Sequence, residues 1–94
     1  MYEGQELYLK LLGSYSRLKL IATLIAHSKE DLTLYMLTKY SKLSKDIVRR
    51  NISILVDAGF VDMKLYGTIR IYALSENNPF VIGLSEFLIK SKLI

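Results

Sequence analysis

Lys45, Arg49 and Arg50 put three cations into one short stretch near the middle of the chain. A guanidinium offers its donors as a planar fork, which suits both a phosphate and the edge of a guanine base. On a helix, neighbouring arginines diverge by about 100°, so one of the pair could reach a base edge while the other meets a phosphate. The plain alternative is a solvated basic pair. Ser44 and Lys45 open the same stretch, where free backbone donors and the helix dipole favour a phosphate. Ser44 itself is better read as a helix cap than as a contact, and Asp46 belongs in a first turn that favours carboxylates. Lys42, with Lys39 and Thr38, surrounds the preceding turn, each being ordinary surface as readily as a backbone contact. Further on, Lys64 and Arg70 flank Tyr66-Gly67-Thr68 on two strand-like runs. Arg70 either meets a phosphate or pairs with Asp62, and Tyr66 can stack on or hydrogen-bond to a sugar-phosphate chain. Ser53 and Thr68 add hydroxyls to the set. This is chemistry for gripping a polyanion, with double-stranded DNA as its expected form.

Bond-making chemistry has little to work with. The chain lacks a nucleophile elbow, a phosphate-cradling glycine loop and a paired-histidine motif, and it has no cysteine and one histidine. An enzyme is not expected, nor a cofactor or a bound metal. A disulfide framework or a thiolate metal site is excluded by composition. His27 reads as a favourable charge at a helix C-terminus, with a pH-responsive group as the other option.

The elements that must position these cations follow from periodicity and punctuation. With 94 residues, 51% hydrophobic, and no Gly, Pro or Ser linker, one domain spans 1–94 with a modest core. Residues 5–12 read as a short helix with Leu7, Tyr8 and Leu11 on one side, closed by Gly13-Ser14. Ser16 then caps a support helix over 17–27, with Leu20, Ile21, Leu24 and Ile25 inward and Arg17, Lys19 and Thr23 elsewhere. A break at 30–32, with room for one short strand, precedes Thr33 as the cap of a helix to about Tyr40, whose buried side carries Leu34, Leu37 and Tyr40.

After the tight connection at 41–43, Ser44 caps a helix whose inward stripe is Val48, Ile52, Leu55 and Ala58, leaving Lys45, Asp46, Arg49, Arg50 and Ser53 outside. Gly59 stops it in a left-handed conformation. Val61, Met63 and Leu65 alternate with Asp62, Lys64 and Tyr66, and the run 69–74 returns after Gly67-Thr68, giving a hairpin. Pro79 starts a final helix over about 79–94. Its apolar arc, with Phe80, Leu84, Phe87 and Leu88, is too wide for so small a core to cover. Tyr40, Phe60, Tyr72, Phe80 and Phe87 are read as core or interface. Dimer contacts are expected from Leu7, Leu11, Phe80, Leu84, Phe87 and Leu88. Glu3 and Glu6 argue against a signal peptide, and the apolar stretch 80–94 is too short to cross a bilayer, so the expectation is no membrane and a cytoplasmic protein.

Four pieces, 16–21, 43–48, 51–61 and 72–75, stand in an order and spacing that resembles winged helix-turn-helix transcriptional regulators of the ArsR-like and MarR-like kind, over roughly residues 16–75. The resemblance implies a mainly α fold with a small β-hairpin (α+β) and extra N- and C-terminal helices. It further implies a recognition helix at about 45–58 in the major groove, a wing at about 60–74 on the backbone or minor groove, and a homodimer made outside the reading head. Small archaeal, plasmid and viral regulators share this plain layout. Metal-sensing members often carry cysteines in the segment matching 33–40, and none stands there. The leading expectation is a homodimeric, sequence-specific DNA-binding regulator. Two alternatives stay open: a winged-helix protein-interaction module, and sequence-independent, chromatin-like DNA coating, against which the net charge of +4 argues mildly.

Overall fold

The computed structural model describes residues 13–93 as α1 (Tyr15–Ala26), α2 (Leu34–Ser41), α3 (Lys45–Asp57), β1 (Val61–Tyr66), β2 (Ile69–Leu74) and α4 (Pro79–Lys90). The helix expected over 5–12, with Leu7 and Leu11, lies outside the described residues. Each helix starts where a short polar side chain can satisfy a free backbone N–H. Thr33 accepts from the Met36 amide at 3.3 Å and Ser44 from the Ile47 amide at 3.3 Å, as expected. Asn78 accepts from the Phe80 amide at 2.9 Å, with Pro79 in the first turn. The cap of α1 is Ser14, not Ser16: Ser14 is extended and accepts from the Arg17 amide at 3.3 Å, so the helix begins earlier than the apolar repeat suggests. Replacing Ser44 by alanine removes the acceptor from the start of α3 and should cost about 1 kcal/mol in urea denaturation. A loss below about 0.3 kcal/mol would show that water replaces the cap.

The end of α3 is fixed by Gly59 at φ +80°. Its amide donates to the Val56 carbonyl at 3.1 Å, and the Phe60 amide reaches back to the Leu55 carbonyl at 3.0 Å. That pair of bonds is a Schellman closure, and the side chains of Leu55 and Phe60 meet inside it, both fully buried. The core gathers around them: Leu20, Ile21 and Leu24 from α1, Leu37 from α2, Val48 and Ile52 from α3, and Val61, Tyr72 and Val81 beyond. The break at 30–32 contributes Leu32, which forms a single antiparallel bridge to Tyr72, its carbonyl accepting from the Tyr72 amide at 2.8 Å.

The strands pair antiparallel, Val61 with Leu74, Met63 with Tyr72, Leu65 with Arg70 and Tyr66 with Ile69. Of the two turn residues only Gly67 has positive φ (+64°), the pattern of a type II′ hairpin. The apolar alternation marks β1, but its face is covered only at Val61, and Leu65 is 61% exposed. The hairpin therefore stands off the body. Helix α4 is shorter than the expected 79–94: Ser91 caps it and Lys92 turns left-handed at φ +56°, ending the hydrogen-bond ladder at Lys90. Among the described residues, no helix is long and apolar enough to cross a membrane.

Candidate nucleic-acid interface

Helix α3 is divided lengthwise. Val48, Asn51, Ile52 and Leu55 are buried against the other helices, while Lys45, Asp46, Arg49, Arg50 and Ser53 are all exposed on the opposite face. Arg49 has one near neighbour of opposite charge, Asp46 at 3.6 Å one turn earlier, an exposed pair too solvated to immobilise it. Helical rotation of about 100° per residue separates the two arginines. Arg50 sits near the centre of the outward face, and Arg49 sits on the flank that faces the hairpin.

Asn51 was not among the residues that the apolar stripe singles out. It completes the stripe nonetheless, at the spacing that Val48, Ile52 and Leu55 define, and its amide is satisfied on both sides. The Arg17 Nη1 donates to Asn51 Oδ1 at 3.1 Å, and Asn51 Nδ2 donates to the Ile47 carbonyl at 2.8 Å. Arg17 thus clamps α1 to α3 and is half-buried. Thr23, also read as lying off the core side of α1, is buried with its hydroxyl donating to the Lys19 carbonyl at 2.8 Å.

The connection from α2 to α3 is held from inside by Ser41, fully buried, whose hydroxyl accepts from the Leu43 amide at 3.3 Å. Lys42 adopts φ +61°, ψ +21°, a left-handed conformation that favours glycine or asparagine. Its side chain is exposed beside the start of α3.

The register of the hairpin sorts the remaining candidates. Val61, Met63 and Leu65 share a face with Leu74, Tyr72 and Arg70, whereas Asp62, Lys64 and Tyr66 share the other with Ala73, Ile71 and Ile69. Arg70 and Asp62 therefore point to opposite sides, and the surface pair between them does not form. Counting outward from the two-residue turn at Gly67-Thr68 contains this answer, because the turn length fixes which residues share a face. Arg70 instead joins Arg49, Ser53 and Met63 around a cleft of about 220 Å³ between α3 and the hairpin, floored by Ile52 and Tyr72. Two guanidinium groups and a hydroxyl converge there. Lys64, Tyr66 and Thr68 are exposed on the far face and at the tip.

On the opposite side of the molecule, Phe80 stacks on Phe60 with ring centroids 5.3 Å apart, and Leu84 and Leu88 are half-buried. Phe87, read as core or interface, is 59% exposed, and Ile82, Ile89 and Leu93 are exposed as well. His27 is the C-cap of α1, hydrogen-bonded through Nδ1 to Glu30 and stacked on Tyr40 at 3.9 Å. Glu30 also accepts from the Tyr40 hydroxyl at 2.9 Å. The hydrogen bond from His27, then that from Tyr40, hold the Glu30 carboxyl below its ordinary value of 4.5. A depressed carboxyl stabilises the fold above its unfolded value and loses that contribution as the pH falls through its folded value. The melting temperature of wild type should exceed that of Glu30→Gln at pH 7, with the gap closing below about pH 4.5. Parallel melting curves across that range would show that Glu30 is uncoupled from folding.

No family model matches the chain, and no curated protein matches it by sequence. Solved structures match it by shape. HlyU from Vibrio cholerae N16961 superposes with a TM-score of 0.79 at 20% identity, covering 100% of each chain. A predicted DNA-binding transcriptional regulator from E. coli gives 0.74 at 18% identity, over 95% of this chain and 90% of that one. An ArsR family transcriptional regulator gives 0.65 at 21% identity, over 99% and 93%. The fold is a winged helix-turn-helix. In its terms α2 and α3 are the helix-turn-helix pair, the β1–β2 hairpin is the wing, and Leu32 supplies a vestigial third strand bridged to β2. The expected α+β architecture is thereby confirmed.

Proposed function

We propose that the protein is a sequence-specific regulator of transcription that binds double-stranded DNA as a homodimer, with α3 in the major groove and the wing along the flanking backbone or minor groove. The observation that carries this reading is the outward face of α3, where Lys45, Arg49 and Arg50 are exposed while the inner face is locked to α1 by Asn51 and Arg17. A helix held that firmly can present side chains to base edges in fixed register. The cleft beside it supports the same reading: a phosphate between Arg49 and Arg70 would hold the duplex backbone between helix and wing. Arg50, nearer the middle of the face, is then the base-reading arginine. Lys42 keeps a cation beside the helix at a backbone position where glycine would be cheaper, which is how residues serving a site rather than the fold behave.

The exposed apolar residues of α4, Phe87 foremost, supply the surface for a second copy. Two copies would present their recognition helices about 34 Å apart, hence to an inverted repeat. Selection of bound sites from random duplex DNA tests the proposal. A recurring palindromic motif, bound with an affinity that falls steeply with salt, is the expected result. Equal retention of all sequences would instead favour non-specific coating, and no retention a protein-interaction module.

A further inference from the structure

A second cavity, of about 390 Å³, lies away from the basic face, between the C-terminal end of α1, the strand β2 and α4. Its wall is largely aliphatic, with Leu24, Leu32, Leu74, Val81, Ile82 and Ile89 among the side chains that form it. Volume and lining are those of a site for a small molecule. Its charged groups are peculiar for so basic a chain. Lys and Arg outnumber Asp and Glu by 13 to 9 in the sequence, yet among the described residues the acidic and basic side chains lining this cavity are Glu30, Glu76, Glu86 and His27. His27 and Glu30 are engaged with each other and with Tyr40. Glu76 and Glu86 are exposed, and among the described residues neither has an ion-pair partner.

We propose that this cavity binds a small organic cation, an apolar body carrying an ammonium group, with the body against the aliphatic wall and the charge between Glu76 and Glu86. An anion would meet two uncompensated carboxylates, and a fully apolar molecule would leave them unused, so the lining selects for a cation with an apolar end. The two residues come from different elements, Glu76 from the turn before α4 and Glu86 from α4 itself, so a bound ammonium ties that helix to the end of β2. The position matters for the rest of the molecule because Tyr72 lines this cavity and also the cleft beside Arg49 and Arg70. A ligand seated here therefore borders a residue that also borders the opposite cleft.

Calorimetric titration of the whole chain with naphthylmethylammonium, naphthylmethanol and naphthoate separates body from charge. The cation should bind about tenfold tighter than the alcohol, and the carboxylate more weakly than either. In the Glu76→Gln/Glu86→Gln double variant, whose changes are confined to exposed side chains, cation and alcohol should bind alike. Ser85→Phe, which fills the cavity from a half-buried position on α4, should weaken both, with melting curves confirming that each variant is folded. The proposal is overturned if the cation shows no saturable binding below about 5 mM. It is equally overturned if cation and alcohol bind wild type equally, or if the preference survives in the double variant. No DNA enters the experiment, so its outcome is independent of the DNA-binding part of the regulator reading.

Discussion

Arg50→Ala is expected to cost about 1–3 kcal/mol in binding to the selected duplex and to flatten preference at one base pair. Arg49→Ala, by contrast, should weaken all duplexes alike and lower the slope of log affinity against log salt by about 1. The two residues are adjacent and chemically identical, so the difference comes only from where α3 points them. Arg50 stands near the centre of the outward face, while Arg49 borders the cleft that it shares with Arg70 and Ser53. Removing both should reduce specific affinity by roughly a hundredfold or more, since the two contacts are made to different parts of the duplex. Fluorescence anisotropy on the selected site and on a scrambled duplex at several salt concentrations reads all of these quantities. Arg70→Ala should repeat the Arg49→Ala pattern if one phosphate bridges them. Should the double variant bind as well as wild type, α3 is not the reading element.

How much of this was legible beforehand depends on the range of the force concerned. Caps and stops at Thr33, Ser44, Gly59 and Pro79 are decided by hydrogen bonds and backbone preferences within a few residues, so residue type and spacing suffice to find them. The outward set of α3 was legible for a related reason: the buried stripe of Val48, Ile52 and Leu55 leaves little freedom for the rest. Ser14 shows the limit of this reasoning: it caps α1 in place of the expected Ser16, a difference fixed by backbone geometry.

The burial of Arg17, Thr23 and Asn51 is not legible in the sequence, because a polar residue enters a core only with its partners, and those partners come from another turn or another helix. No single-residue preference encodes the Arg17–Asn51 clamp. Phe87 was legible only as core or interface: a domain this small has more apolar side chain than interior, and α4 carries the excess, Phe87 included, on its outer side. The same shortage of interior leaves Leu65, Tyr66 and Ile69 exposed on the wing. The basic face of α3 was legible, but the balance of +4 conceals an acid-lined cavity behind β2, whose carboxylates come together only once the chain is folded.

Phe60→Ala should be the most damaging single substitution to the fold, with an expected loss of about 3–5 kcal/mol of stability. The ring is fully buried and does three jobs at once. It closes the Schellman turn against Leu55, leads directly into β1 at Val61, and stacks on Phe80 at the start of α4. Its carbonyl also accepts from the Ser75 amide at 2.9 Å, and the neighbouring Gly59 carbonyl accepts from Asn78 Nδ2 at 3.1 Å. Helix α3, the wing and α4 therefore share one anchor. A cavity there cannot collapse without moving all three, which places the cost toward the upper end of the range for an aromatic truncation. For a domain whose total stability is on the order of 5–15 kcal/mol, the melting temperature should fall by about 15 °C or more. Urea denaturation followed by far-UV circular dichroism gives the free energy directly. A loss below about 1 kcal/mol would mean that α4 is not held by this ring, and that the proposed cation cavity and the proposed dimer surface of α4 rest on weaker contacts than its packing implies.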